Sequence, residues 1–181
     1  WSKGRNIEYD NDAEKDFMPD DQYKENQIKV LNEMQRVLKK DGSIFYNHKV
    51  RIAQHKASHP IEWIIKSNLT FRQQIIWNRK SSPAVSPIRY MPSTELIFWL
   101  TKSPCQPNFE RISEPLFFGE VWEFSAKQNP LHPAPFPEEL PENIIMCIKN
   151  KTPDYMVYDP YCGSGTTLLV ANKYQMNYIG S

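Results

Sequence analysis

Long hydrophobic runs and cysteines are both scarce in this 181-residue sequence. No apolar run approaches the ~18–20 residues that a membrane-spanning helix requires, and the first residues do not resemble a signal peptide. The sequence therefore predicts a soluble protein without a membrane partner. Its three cysteines, Cys105, Cys147 and Cys162, lie too far apart for a disulfide framework or a metal-binding knuckle. We expect a protein of the reducing cytoplasm that holds no metal.

An excess of charge of either sign is missing as well. The chain has 22 lysines and arginines against 21 aspartates and glutamates, and its formal net charge is +1. This balance carries no global signature of polyanion binding, so any nucleic-acid surface must be a local patch. With 40% hydrophobic residues the chain can bury one core, and we predict a single domain over residues 1–181.

Helix and strand patterns alternate along much of the chain. Apolar residues from Tyr23 to Leu38 recur at helical spacing after Asp20 and Asp21, which can cap a helix. Short runs rich in β-branched and aromatic residues indicate strands. The predicted strands are 43–50, 69–77, 94–101, 156–159 and 177–180, and the other predicted helices are 61–66, 137–148 and 166–174. This alternation is typical of an α/β protein.

Prolines interrupt the alternation in the middle of the chain. Residues 79–92 contain three prolines and three serines, residues 104–118 are irregular again, and a third proline-rich piece begins at position 130. Regular structure is therefore not expected in most of these stretches.

The stretch 154-DYMVYDPYCGSGTTLLVANKYQMNYIGS-181 places an acid and a glycine-rich turn between a strand and a helix. Such a junction holds a ligand at the carboxyl edge of a parallel sheet, because glycines allow close approach and the first helix amides are unpaired. A phosphate-binding loop would need a lysine after Gly165, where Thr166 stands, and a dinucleotide fingerprint would need glycine at Leu168. Both of these ligand classes are therefore disfavoured.

The segment 159-DPYCGSGTT-167 resembles the methionine-binding motif of the amino-methylating DNA methyltransferases, usually Asp-Pro-Phe-x-Gly-Ser-Gly-Thr-Thr. The segment 132-HPAPFPEELPENII-145 resembles the helix-opening motif that lies just upstream in the permuted group of that family. Looser likenesses cover nearly the whole chain, at 36-RVLKKDGSIF-45, 76-IWNRK-80 and 95-ELIFW-99. The resemblance implies a permuted enzyme that uses S-adenosylmethionine to methylate adenine N6 or cytosine N4, with adenine slightly favoured.

The resemblance also implies a fold and a cofactor site. We expect a three-layer, Rossmann-like α/β methyltransferase sheet, mostly parallel, with one reversed strand at Thr94–Thr101. An irregular target-recognition insertion would cover about residues 79–120. The residues expected to bind S-adenosylmethionine are His132, Pro133, Pro135, Phe136, Asp159, Tyr161, Gly163, Ser164, Gly165, Thr166 and Thr167. Cys162, at the variable position of the motif, would be a small filler.

The family's catalytic tetrapeptide, Asp/Asn/Ser-Pro-Pro-Tyr/Phe, does not occur in the chain. By family order we expect it before Trp1, and we expect the ribose-binding acid after Ser181. The sequence is thus interpreted as a methyltransferase trimmed at both edges, and no catalytic residue is assigned within it. The tetrapeptide would hold the amino group of a base that has been flipped out of the duplex.

Double-stranded DNA is the expected partner. Arg79, Lys80, Arg89 and Tyr90 lie in or beside a proline-broken loop, where basic and aromatic groups can meet phosphates and a displaced base. The family further suggests a restriction-modification role, a restriction endonuclease partner and a homodimer. Two alternatives stay open: an inactive fragment that only binds cofactor or DNA, and a related methyltransferase that acts on RNA or protein.

Overall fold

The computed structural model describes residues 18–53, 56–80, 87–104, 106–110, 119–125, 137–148 and 154–181. These residues form four helices and eight strands. The helices are α1 (Asp20–Val37), α2 (Ile61–Ile64), α3 (Glu139–Met146) and α4 (Thr166–Lys173). The strands are β1 (Ser43–His48), β2 (Arg51–Ala53), β3 (Lys56–Ser58), β4 (Thr70–Asn78), β5 (Thr94–Thr101), β6 (Val121–Glu123), β7 (Met156–Asp159) and β8 (Asn177–Gly180).

Four strands form one mixed sheet in the order β1-β5-β4-β6. Strand β5 is antiparallel to β1 and to β4, whereas β6 is parallel to β4. Strands β1, β4 and β6 therefore run in the same direction and β5 runs against them. This arrangement confirms the predicted α/β class and the reversed strand at Thr94–Thr101.

Helices cover both faces of this sheet. On one face, α1 and α2 supply Leu31, Trp63 and Ile64 to a core that includes Phe98 and Leu100 of β5. On the other face, the core contains residues of three strands together with residues of α3; its buried members are Ile75, Trp77, Ile97, Trp122, Phe124 and Leu140. Strand β5 is buried on both faces, as expected for a strand with the continuous apolar run 96-LIFWL-100. The result is three layers, helix on sheet on helix.

Strands β7 and β8 form a second, parallel pair. Helix α4 connects them and packs Val170 and Ala171 against Ile145 of α3 and Met176. Helix α3 thus contributes to two cores, through Leu140 to the four-stranded sheet and through Ile145 to the strand pair. None of the helices that the described residues form is long and apolar enough to cross a membrane.

Two local predictions were wrong. Strand β1 ends at His48, two residues before the predicted end, and the chain then forms an antiparallel hairpin from β2 and β3 that the pattern had not indicated. Helix α1 is preceded by Pro19 and has no side-chain cap. The carboxylate of Asp20 does not cap it, since it accepts hydrogen bonds from Arg51 and Ser58 of the hairpin instead.

Candidate functional site

The turn after β7 contains the predicted cofactor residues from Asp159 to Thr167. The Asp159 carboxylate accepts a hydrogen bond from the amide of Tyr161 at 3.0 Å, which starts the turn directly at the carboxyl end of the strand. Gly163 and Gly165 follow with φ of 49° and 81°, a left-handed conformation in which other residues are strained. The amide of Gly165 donates to the carbonyl of Cys162 at 2.7 Å and closes the turn.

Space is left open beside Gly165. A Cβ atom added to Gly165 would have no neighbouring heavy atom within 4 Å. Helix α4 begins at the next residue without a side-chain cap, and within the described residues no hydrogen bond is made to the amides of Thr166 and Thr167. The free amides and the helix dipole make this point favourable for a negatively charged ligand group such as a carboxylate.

The last residues of the chain close the turn from the other side. The amide of Cys162 donates to the carbonyl of Ser181, and the amide of Ser181 donates to the carbonyl of Asp159, both at 3.3 Å. At Gly180 an added Cβ would lie 2.8 Å from the Cβ of Cys162 and 2.7 Å from Cδ1 of Leu168. Cys162 therefore packs as a small filler against β8, as the sequence had suggested.

A cluster of polar aromatic residues lies where β1 meets α1 and α2. The Tyr46 hydroxyl donates to Oε1 of Gln27 at 2.7 Å and accepts a hydrogen bond from Nε1 of Trp63 at 3.3 Å. Burial raises the pKa of Tyr46, the hydrogen bond from Trp63 opposes this, and the hydroxyls of Tyr23 and Tyr161 raise the pKa further.

His48 extends the same cluster. Its Nε2 pairs with the Tyr23 hydroxyl at 2.6 Å and its Nδ1 with the carbonyl of Lys49 at 2.5 Å. A neutral imidazole satisfies both contacts, because Nδ1–H donates to the carbonyl and Nε2 accepts from the hydroxyl. Burial lowers the pKa of His48, and the carbonyl of Lys49 opposes that shift. The sequence holds no ligand spacing around His48 that would have pointed to these partners.

The carboxyl ends of β1 and β4 meet at one edge of the four-stranded sheet. Glu95, at the start of the reversed strand β5, forms ion pairs with Arg79 just after β4 and with Lys49 just after β1. The side chains of Glu95 and Arg79 are each 11% exposed, whereas that of Lys49 is 53% exposed. Arg79 is therefore held by a carboxylate, and its role at DNA stays a prediction.

The other predicted DNA-binding residues are exposed. Lys80 has a left-handed backbone with φ of 65°, and its amide donates to Oδ1 of Asn78 at 2.9 Å. Arg89 is exposed and Tyr90 is fully exposed.

The predicted cofactor residues His132, Pro133, Pro135 and Phe136 lie outside the residues that the structure describes. Among those that it does describe, no group of three or more His, Cys, Asp or Glu side chains could hold a metal ion.

A comparison with models of known protein families shows the family of this chain. The model of the N6_N4_Mtase family, described as DNA methylase, matches residues 3–181. The chain belongs to this family. The family match therefore confirms the resemblance that the two sequence motifs carried.

The chain is also similar to named type II methyltransferases. The chain is 26% identical to the type II methyltransferase M.BglII of Bacillus subtilis over 94% of its own length, and it spans 56% of the length of that relative. Of the type II methyltransferase M1.MboII of Moraxella bovis it spans 68%, at 23% identity.

Solved structures show the same fold. The cytosine-N4-specific PvuII DNA methyltransferase superposes with a TM-score of 0.72, covering 97% of this chain and 69% of the other at 21% identity. The M1.HpyAVI complex with SAM superposes with a TM-score of 0.65, covering 86% of this chain and 75% of the other at 20% identity. At such identities the likeness concerns the fold, which is the α/β methyltransferase fold expected from the sequence.

Proposed function

We propose that this protein transfers a methyl group from S-adenosylmethionine to an exocyclic amino group in double-stranded DNA, with adenine N6 as the first candidate and cytosine N4 as the second. The turn between Asp159 and Thr167 carries the proposal. It is an open glycine turn that runs into uncapped helix amides at the carboxyl end of a parallel strand. Membership in a DNA methylase family supports the reaction class.

The residues of the turn would hold the methionine half of the cofactor. The amides of Thr166 and Thr167 would donate to its carboxylate, helped by the dipole of α4. Gly163 and Gly165 would let the backbone approach closely, and Ser164 would line the same turn. Bound S-adenosylmethionine supplies a methyl group on a sulfonium, which is electrophilic enough for a weakly nucleophilic base amine.

Asp159 would set the shape of this turn, because its carboxylate binds the Tyr161 amide. The Tyr161 ring, 66% exposed, would pack beside the cofactor. His132, Pro133, Pro135 and Phe136 are proposed as the opposite wall, as the upstream motif suggested. No catalytic acceptor for the amine is assigned to this chain.

DNA would be held by the basic loop that follows β4. Lys80 and Arg89 are exposed cations, and the fully exposed ring of Tyr90 can stack on a displaced base. Arg79, buried against Glu95, would act on DNA mainly by fixing the start of this loop. A restriction endonuclease partner is proposed because the relatives carry type II names; a homodimer and a cytoplasmic location stay predictions.

The test combines binding and product analysis. We expect labelled S-adenosylmethionine to bind the protein and its methyl group to appear in mixed-sequence duplex DNA. Digestion of that DNA to nucleosides and mass spectrometry would separate N6-methyladenine from N4-methylcytosine. Asp159→Ala removes the acceptor of the Tyr161 amide and should weaken cofactor binding about tenfold. Asp154→Ala, which removes an exposed carboxylate just before β7, should not weaken it.

Three outcomes would contradict the proposal in different ways. Cofactor binding without methyl transfer to DNA would favour the inactive binding fragment. Methyl transfer to RNA or to protein alone would change the substrate class. No binding of S-adenosylmethionine, or equal binding by the Asp159 and Asp154 variants, would remove the turn as the cofactor site.

A further inference from the structure

We propose that the hairpin formed by β2 and β3, together with Lys49 before it, is a second contact for the phosphate backbone of duplex DNA. This inference rests on the proposed function, because it assumes that DNA is the substrate. We call Lys49, Arg51–Ala53 and Lys56–Ser58 the basic hairpin. Its residues are distinct from the loop after β4 to which DNA binding was first assigned.

The charge of the basic hairpin is of one sign. The sequence 49-KVRIAQHKAS-58 contains two lysines and one arginine and no aspartate or glutamate. Lys56 is exposed, the side chain of Lys49 is 53% exposed, and Ile52 between them is 48% exposed. In a chain whose net charge is only +1, this is the kind of local patch that a polyanion would need.

Arg51 of the hairpin attaches it to the start of α1. Arg51 donates to Oδ1 of Asp20 at 2.9 Å and to the carbonyl of Met18 at 3.1 Å, and Ser58 donates to Oδ2 of Asp20 at 3.2 Å. The Arg51 guanidinium also lies over the Tyr23 ring, 4.2 Å from its centroid. The base of the hairpin is therefore fixed to α1. A fixed hairpin loses less conformational entropy when it binds a phosphate.

Glu95 shows that the hairpin lies at the proposed DNA edge. This carboxylate pairs with Lys49, where the hairpin begins, and with Arg79, where the basic loop after β4 begins. Both segments thus start at the carboxyl end of the four-stranded sheet. Glu95 is shared between Arg79 and Lys49, and the side chain of Lys49 is 53% exposed despite this pair. Lys56 is exposed further along the same hairpin. Duplex DNA is the extended polyanion that could reach both segments at once.

Lys66 provides a matched control. It is exposed like Lys56, but it lies between α2 and the first residue of β4, at the amino end of that strand and so at the opposite edge of the sheet. The substitutions Lys56→Gln and Lys66→Gln each remove one exposed positive charge and change the net charge equally. They remove this charge from opposite edges of the sheet. The hydrogen bond from Lys24 lowers the pKa of the Glu62 carboxylate and the charge of Lys56 also lowers it, so thermal unfolding of both variants is compared as well.

The experiment measures binding of a fluorescent mixed-sequence duplex by anisotropy between about 50 and 200 mM salt. We expect Lys56→Gln to weaken binding several-fold at low salt and to reduce the slope of log K against log[salt] by about 1. Adding Lys49→Gln should weaken binding further. Lys66→Gln should bind like the unsubstituted protein. Thermal unfolding and binding of labelled S-adenosylmethionine should be the same for both single variants.

The outcomes separate this inference from the proposed function. If the protein binds duplex DNA and methylates it while the Lys56 and Lys66 variants bind with equal affinity and slope, the hairpin contact is wrong and the proposed function stands. The two variants would also bind DNA equally if the hairpin served to bind a different acidic ligand, and the DNA contact would be wrong in that case too. If the unsubstituted protein neither binds nor methylates DNA, the proposed function fails and this inference fails with it.

Discussion

Gly180 is the residue at which a single methyl group should disturb the candidate cofactor turn most. An alanine Cβ at this position would lie 2.7 Å from Leu168 and 2.8 Å from the Cβ of Cys162, which is closer than van der Waals contact allows. We expect Gly180→Ala to lower the free energy of unfolding by about 1–3 kcal/mol, because a packed site is overfilled. It should also weaken binding of S-adenosylmethionine, since Cys162 belongs to the turn.

Gly119→Ala is the control for this substitution. Its added Cβ would meet nothing closer than the amide nitrogen of Val121 at 3.9 Å. Denaturant unfolding and cofactor titration of both variants give the comparison. Equal stability and equal cofactor affinity for the two variants would contradict the close packing of β8 against the turn.

His48 is the residue that should link stability to pH. Burial lowers its pKa below the ordinary value of 6.5, so the folded protein binds fewer protons at this group than the unfolded chain. The free energy of unfolding should therefore be highest above pH 6.5 and should fall as the pH is lowered through and below that value. His48→Gln removes the titrating group and should reduce this fall.

Urea unfolding between about pH 5 and pH 8 measures the effect. Tyr23→Phe is a useful companion variant, because it removes the hydroxyl that pairs with Nε2 of His48 and leaves the imidazole in place. We expect the pH dependence to persist in Tyr23→Phe. The same pH dependence in the unsubstituted protein and in His48→Gln would assign it to other groups.

At the scale of elements, Asp20 joins α1 to the hairpin of β2 and β3. It accepts hydrogen bonds from Arg51 and Ser58 and pairs with Lys24 at 2.9 Å. Asp20→Asn should lower the free energy of unfolding by about 1 kcal/mol. Hydrogen exchange of the amides in Arg51–Ala53 and Lys56–Ser58 should become faster, because the hairpin loses its attachment.

Asp21→Asn controls for the helix dipole in this experiment. Asp21 also lies in the first turn of α1, but it is exposed and forms no ion pair within the described residues. Both substitutions remove one negative charge from the same helix end, so a difference between them reports on the hairpin contacts. Equal exchange rates in the two variants would show that Asp20 acts only through the helix dipole.

At the scale of the whole molecule, α3 connects the four-stranded sheet to the part that holds the candidate cofactor turn. Its Leu140 is buried in the core of the sheet, and its Ile145 is buried against α4. Leu140→Ala should lower the free energy of unfolding by about 2–5 kcal/mol through a cavity. We further expect it to divide one unfolding transition into two, because the strand pair β7 and β8 loses its connection to the sheet.

Two spectroscopic signals can test that division. The described tryptophans all belong to the four-stranded part, at positions 63, 77, 99 and 122. The fifth tryptophan, Trp1, lies outside the described residues. In a Trp1→Phe background, tryptophan fluorescence therefore reports on the four-stranded part, whereas far-UV circular dichroism reports on the whole chain. The two transitions should coincide in the unsubstituted protein and in Leu169→Ala, whose side chain is 59% exposed. Coincident transitions in Leu140→Ala would contradict a coupling role for α3.

The sequence by itself determined the fold class and the position of the glycine turn after β7, whose role at the cofactor stays a prediction. Both follow from local rules: the apolar run 96–100 has the length and composition of a buried strand, and 159-DPYCGSGTT-167 needs only its own glycines to form the turn. The direction of β5 came from the family resemblance. The apolar pattern of β5 alone cannot predict its direction, because the same pattern fits a parallel or an antiparallel strand.

Only the tertiary structure decided which charged groups meet. Asp20 was predicted to cap its own helix, yet it binds Arg51, 31 residues away. Arg79 pairs with Glu95, and Lys49 shares that carboxylate; neither pair was predicted, and the role of Arg79 at DNA stays a prediction. Such pairs join segments distant in the chain, and local pattern carries no information about contacts that arise only when strands align in a sheet. The placement of the basic hairpin beside the predicted DNA edge depends on this alignment, because Glu95 links the ends of two strands.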